Sequence, residues 1–291
     1  MTAAPAADVA AVAVTVQRLA VLLQAGLTPA RAWRHLADTG DAAAAAATAA
    51  LDEGRSVPAE LATRGEAWTQ IGIAWQVAAT VGAPLADSLR GLAEALRDAH
   101  QARDDVRIAL AEPQMTARLI AWLPLVAVAL GAALGFDPLR TLGHPVGVVC
   151  LVAGGLLMLL TNRWTAALVA RAQPASGIPG LDAEVVAIAL SGGVSIPRAV
   201  AVVEAAAGSP PEAATMAVLG LSRAAGAPAV ELLRADAAAQ RQAARTEGRL
   251  RAAALSGRLL LPLGICTLPA FLLLGVGPML LSVLTSGPLP L

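Results

Sequence analysis

The sequence predicts an all-α protein in which two helical-bundle cytoplasmic modules, related by an internal duplication, are joined to about three transmembrane helices. Three observations carry that expectation. The composition is 57% hydrophobic and only 14% charged, where a soluble domain carries about 25% charged residues. Its mean hydropathy is +0.66. Three long runs lack charged side chains, and the polar stretches between them show helical periodicity without β-branched alternation.

The runs come first because they set the topology. Crossing a bilayer core takes about 20 mostly apolar residues. Leu119 to Phe136 is uncharged, and Met115 to Ala117 extend it if Arg118 snorkels. Thr141 to Asn162 and Leu259 to Leu291 hold no charged side chain. Arginines place the orientation. Arg118 precedes the first run, Arg163 and Arg171 follow the second, and Arg245, Arg249, Arg251 and Arg258 crowd the entrance to the third. Only Arg140, beside Asp137, lies between the first two. This predicts a cytoplasmic N-terminus and an external C-terminus in a cell (inner) membrane, with Trp122 and Trp164 near the cytoplasmic interface. The start of the chain, with Asp8 and no early arginine, lacks the basic region of a secretory signal.

The polar stretches read as helices. Val16, Leu19, Ala20 and Leu23 mark one helical face, closed by Gly26, and Thr28-Pro29 opens the next helix, about Ala30 to Leu36. The alanine-rich stretch from Asp41 to Ala50 reads either as helix or as poorly ordered chain. Gly65 and Trp68 lead into a helix from Ile71 to Thr80. Gly82-Ala-Pro84 then turns into a long amphipathic helix, Leu85 to Leu110, with Arg90, Glu94, Arg97, Asp98, Arg103 and Asp104 on its outer face and Pro113 as its stop.

The same grammar recurs. Leu23-Gln-Ala-Gly26-Leu-Thr-Pro29 has a counterpart in Leu190-Ser-Gly-Gly193-Val-Ser-Ile-Pro197, and Val81-Gly82-Ala-Pro84 in Ala225-Gly226-Ala-Pro228. A charged helix and an apolar run follow each time, with Leu123-Pro124 matched by Leu261-Pro262. An ordered series appearing twice points to internal duplication. The wider spacing in the first half implies an insertion around Thr39 to Glu66. The expected divisions are a first module over 1–114, a transmembrane helix over 115–136, a short external loop over 137–144 and a second transmembrane helix over 145–163. A second module over 164–257, a third transmembrane helix over 258–284 and an external tail over 285–291 complete the chain.

In LLQAGLTPARAW, VGAPLADSLRGLAEALR, LPLVAVALGAALGFDPL, LSGGVSIPRAV, AAGAPAVELLR and LPLGICTLPAFLLLGVGP, taken in that order, the chain resembles the type II secretion F-domain family. That family includes the GspF and PilC inner-membrane platforms and the TadB and TadC proteins of Flp (Tad) pilus systems. The resemblance implies a non-enzymatic platform whose cytoplasmic parts contact a hexameric secretion ATPase and whose spans handle pilin-like (pseudopilin) subunits. It also implies pairing with itself or with a second F-family protein.

Chemistry-bearing patterns are sparse. No catalytic, cofactor-binding or metal-ligating residue is assigned. His35, His100 and His144 lack an i+4 histidine or cysteine partner, and the acid pairs Asp52-Glu53 and Asp104-Asp105 are interleaved with arginine. Cys150 and Cys266 sit in apolar runs without pairing or metal spacing. All 21 basic residues are arginine, so a phosphate-loop lysine is absent, and zero net charge offers no field to hold nucleic acid. No ionisable group lies at mid-membrane depth, which weighs against the alternative of a small membrane permease or receptor subunit. The lipid bilayer is the remaining expected partner. Reporter fusions are expected to signal cytoplasm at Ala50 and Ala207 and exterior at Gly143 and Leu291; a cytoplasmic signal at Leu291 overturns the three-span topology.

Overall fold

The computed structural model describes residues 5–133, 145–172 and 177–277, and among them the regular structure is helical throughout. Helix α1 (Pro5–Gln24) buries Val9, Val12, Ala13, Val16, Leu19 and Ala20, the stripe that its period of 3.6 dictates. Gly26, at φ +88°, ends it in a left-handed turn that an L side chain would strain. Extended Thr28 and Pro29 then begin α2 (Pro29–Asp38), whose Ala32, Trp33 and Leu36 are buried.

The alanine-rich stretch resolves to a helix, α3 (Ala42–Asp52). Asp41 caps it, its carboxylate accepting from the Ala43 and Ala44 amides at 2.9 and 3.0 Å. Alanine's high helix propensity explains its formation, and burial of Ala43, Ala44, Ala47 and Ala50 gives it a packing face. A short α4 (Val57–Ala62) was not read from the sequence; Val57 and Leu61 anchor it. Then α5 (Glu66–Val81) begins five residues before the expected Ile71, and Trp75 stacks on Trp33 with ring centroids 5.9 Å apart. Gly72 lets α4 approach closely: a Cβ there would lie 2.8 Å from the Pro58 carbonyl oxygen.

Helix α6 (Leu85–Ala133) corrects one expectation, because it does not stop at Pro113. Proline removes one backbone hydrogen bond from a helix interior, and the strongly helical sequence on both sides carries the chain through, as apolar membrane helices tolerate. After α7 (Pro145–Ala172) come α8 (Leu181–Ser191), α9 (Ile196–Ala207), α10 (Ala213–Ala225) and α11 (Ala229–Arg258). Finally α12, residues 260–276, widens into π-helical turns at Leu263–Thr267 and Leu272–Val276. Pro262 and Pro269 each withhold an amide from the normal ladder there, a recognised cause of such bulges. The expected loop at 137–144 and tail at 285–291 lie outside the described residues.

The chain divides into two compact units. Unit 1 comprises Met1–Arg103 and Ala175–Thr246; unit 2 comprises Asp104–Pro174 and Glu247–Leu291. In unit 1, side chains from both polar stretches build one core: Val16, Leu19, Trp33, Ile71, Leu89 and Leu92 belong to the same cluster as Leu181, Ile188, Leu219 and Leu233. Its central element is α8, where Leu181, Ala183, Val185, Val186, Ala187, Ile188 and Ala189 are all buried. A helix apolar all round must be enclosed, and α5 and α9 both pack against it. In unit 2, α7 packs along α12, and Gly154 leaves the space that Leu274 fills; a Cβ there would sit 2.5 Å from its Cγ.

Turns and contacts in the two halves correspond. Gly26 and Gly193 adopt φ +88° and +79°, and Gly82 and Gly226 adopt +73° and +67°. The caps Thr28 and Ser195 match within a few degrees, at φ/ψ −68°/152° and −66°/154°. Displacing the chain so that Gly26 falls on Gly193 puts Thr15 on Asp182. Thr15 hydrogen-bonds Asp41 at the start of α3, while Asp182 accepts from Thr215 Oγ1 at 2.6 Å and the Glu212 amide at 2.9 Å at the start of α10.

One join admits no side chain at all. A Cβ on Gly192, at the end of α8, would lie 2.6 Å from both Cγ2 and the carbonyl oxygen of Val81, at the end of α5. Gly192→Ala is therefore expected to destabilise unit 1 by about 1–3 kcal/mol through overpacking. Gly220→Ala, in a helix interior with open space around it, should stabilise by roughly 0.5–1 kcal/mol. Denaturation of the detergent-solubilised chain reads both, and equal effects would remove the close approach from the account.

Candidate functional site

A buried acid interrupts the apolar helix α8. Glu184, with its side chain 7% exposed, faces α6 and α11. Gly91 of α6 makes room for it: a Cβ at that position would stand 2.7 Å from Glu184 Oε1. From α11, Arg234 Nε lies 4.0 Å from Oε1 and Arg241 Nη1 lies 3.9 Å from Oε2. Asp98 of α6 reaches Arg241 Nε at 3.3 Å. Both Nε and Nη1 of Arg241 are buried without a well-formed hydrogen bond.

These distances decide the electrostatics. Beyond about 3.5 Å a guanidinium attracts the carboxylate but does not hydrogen-bond it. The cost of removing Glu184 from water therefore outweighs the pull of Arg241 and Arg234, and burial holds its carboxyl above the ordinary glutamate range, with Glu94 adding repulsion.

Other polar contacts between α6 and α11 share one register. In unit 1, Arg245 Nη2 donates to Gln101 Oε1. In unit 2, Arg249 Nη2 donates to Asp105 Oδ2 at 2.9 Å. Each pair is separated by 144 positions, the displacement that carries Gly82 onto Gly226. Both pairs thus run in one register along the two helices. Arg103, placed on the outer face by the sequence, instead donates to the Gly177 carbonyl at 3.3 Å. Asp98 likewise turns toward α11.

Unit 2 carries a different surface. Along α6, Met115, Leu119, Trp122, Val126 and Leu130 form an exposed stripe, each at least half accessible. On α7, Val149, Val152, Leu156 and Leu159 do the same, as do Leu261, Ile265, Leu268 and Leu272 on α12. Pro145–Arg171 is long and apolar enough to cross a membrane, with a mean hydropathy of 1.9, and 17% of its most apolar window is buried within the protein. Exposed apolar surface this extensive marks a lipid or protein interface.

The remaining chemistry-bearing residues do not converge. His35 is exposed, His100 lies half-buried on α6, and His144 lies outside the described residues. Asp52 pairs with Arg34 at 3.3 Å and Glu53 with Arg55 at 2.6 Å. Arg55 also meets Glu60, and hydrogen bonds first to Glu53 and then to Glu60 raise its already high pKa. Asp104 approaches Arg107 at 4.0 Å, and Asp105 takes Arg249. Among the described residues no group of three or more histidine, cysteine or acidic side chains is placed to hold a metal. Cys150 and Cys266 are free thiols, half-buried and buried. Glu184 went unremarked in the sequence, although an acid followed directly by the apolar run VVAIAL is a detectable signal.

Residues 15–132, from the middle of α1 to the end of α6, match the family of the type II secretion system (T2SS) protein F. Over those residues the chain is similar to that family. No curated protein and no solved structure matches the chain. The matched residues include Gly91 and Asp98 of α6, while Glu184 and its arginines lie beyond them.

The raised pKa of Glu184 has a definite sign. The folded chain binds the proton more tightly than the unfolded one, so the stability from this group is full below the unfolded pKa and is lost as pH rises through the raised folded value. Glu184→Gln mimics the protonated form. Its stability relative to the parent should therefore increase from pH 4 to pH 7 in denaturant titrations, and an opposite slope would show that Arg241 and Arg234 dominate.

Proposed function

We propose that this protein is an inner-membrane assembly platform of a type II secretion or Flp (Tad) pilus machine, coupling a cytoplasmic secretion ATPase to pilin-like subunits. The observation that carries the reading is the match of residues 15–132 to the T2SS protein F family. The exposed apolar stripes support it, since α6, α7 and α12 each present a lipid-compatible face over several turns. On this reading the three stripes are three transmembrane helices, with the N-terminus cytoplasmic and the C-terminus external. The two cytoplasmic modules are products of duplication, supported by the paired glycine turns, the matched caps and the 144-residue register between α6 and α11.

The chemistry is mechanical. With no lysine for a phosphate loop, the energy of nucleotide hydrolysis enters through contact with the ATPase and is not released here. The cytoplasmic helices supply exposed charges for that contact, and such rim charges govern association rate and register more than affinity. Arg97 is an exposed cation on α6. Arg103 is a poor choice for the same test, because it holds the Gly177 carbonyl.

The full-length chain in lipid nanodiscs is expected to capture its cognate secretion ATPase. Arg97→Glu should weaken capture by on the order of 1 kcal/mol, about fivefold, with a larger effect at low salt and unchanged helix content. Absence of capture by the folded parent, or nucleotide hydrolysis by the parent alone, overturns the platform reading.

A further inference from the structure

Threonine hydroxyls inside the helices of this chain mostly satisfy themselves. Thr48, Thr80, Thr161 and Thr246 each donate to the carbonyl oxygen four residues earlier, at 2.7 to 3.1 Å, the ordinary bond for a hydroxyl in that setting. Thr267 of α12 departs from the habit. Its side chain is 4% exposed, and its Oγ1 is buried without a hydrogen-bond partner. The backbone gives the reason. Thr267 closes the π-helical turn Leu263–Thr267, whose bonds reach five residues back and move the carbonyl four back out of line.

The register of unit 2 says what faces this hydroxyl. Gly154 of α7 meets Leu274 of α12, and Cys150 lies beside Gly277, so the two helices run antiparallel. Thr161 comes seven residues after Gly154, and Thr267 seven before Leu274. Positions seven apart return to the same seam of packed helices, which places Thr161 opposite Thr267. Burial agrees: Gly147, Gly154 and Thr161 are buried on α7, as are Cys266, Thr267 and Ala270 on α12. Thr161, its proton committed to the Leu157 carbonyl, keeps lone pairs that can only accept. Pro269 has no amide hydrogen, so a carbonyl of the preceding turn loses its donor. A donor and two acceptors thus converge where the seam side chains are small.

We infer that the seam of α7 and α12 binds a water molecule, which accepts from Thr267 Oγ1 and donates to Thr161 Oγ1 and to the carbonyl that Pro269 leaves without a donor. Three protein partners are what a buried water ordinarily takes. A dry seam would leave the Thr267 hydroxyl to bear the full cost of its lost hydration. The site also has a mechanical consequence. Water inserted beside a helical ladder is one of the few causes of a sharp bend, so Leu263–Thr267 is the point at which α12 flexes.

The inference rests on the reading of α7 and α12 as membrane-spanning, and its test separates the two. The full-length chain in lipid nanodiscs is pulsed with synchrotron X-rays, which split water into hydroxyl radicals that oxidise the side chains beside it. Cys266 is the reporter, since it adjoins Thr267 and is 2% exposed, out of reach of radicals formed in bulk solvent. Its oxidation is expected in the parent and in Thr267→Ser, and should fall to background in Thr267→Val. Thr161→Val, on the other helix, should give the same loss and serves if Thr267→Val does not fold. Oxidation of Cys150 should stay unchanged throughout. Amide exchange over 263–272 should slow in the valine variants at unchanged helix content. An unlabelled Cys266 in the parent overturns the inference, as does equal labelling or equal exchange in the folded valine variants. Labelling of Leu156 and Leu268, exposed side chains that lipid would cover, sinks the membrane reading instead; the water is then judged by the loss of Cys266 oxidation in the valine variants alone.

Discussion

Enclosing α8 is the constraint on which unit 1 depends. This helix carries Leu181, Val185, Val186 and Ile188 around its circumference, all buried, and side chains of this size each contribute about 1.5–3 kcal/mol when removed from water. No single neighbouring helix can cover such a surface. The covering comes from both halves of the chain, with α5 on one side and α9 on another. Gly192 permits the closest approach, since any side chain would collide with Val81. The consequence is a core shared by both polar stretches of the chain.

Glu184 complicates that economy. A buried carboxylate is costly unless paired with good geometry, and its arginines remain 3.9 and 4.0 Å away. The raised pKa follows from that distance. An acid placed here contributes little to stability and much to arrangement, since it obliges α11 to keep Arg234 and Arg241 turned toward α8. With Asp98 drawing Arg241 from the side of α6, three helices are held in a fixed rotational setting. Gln17, its counterpart in α1, carries no charge and so imposes no such setting.

Unit 2 has the opposite polarity. Its helices turn aliphatic side chains outward where unit 1 turns them inward, and the contacts it keeps are small and close: Gly154 against Leu274, and Gly277 near Cys150. Close approach through glycine is how helices associate when the surroundings are as apolar as the side chains themselves. Among its ion pairs, Arg249 meets Asp105 at 2.9 Å. Helix α6 is continuous from Leu85 through Ala133.

Helix placement was largely legible in the sequence because it rests on local physics. Gly26, Gly82, Gly193 and Gly226 end helices since only glycine accepts their positive φ without strain, and the apolar runs declare themselves by length. Local rules failed where tertiary packing outweighed them. Pro113 did not stop α6, and the alanine-rich stretch was ambiguous until Asp41 and a burial face fixed it as α3. The site was less legible still. The sequence listed Asp98 and Arg103 among outward charges, but which way a helical residue faces depends on the neighbour, and α11 and Gly177 reclaimed them. By itself the sequence determined most of the helices, their order and the apolar runs, all properties of residues close in the chain. Only the tertiary structure decided that both polar stretches share a core around α8 and that Glu184 lies within reach of Arg241, because those contacts join positions that no local pattern connects.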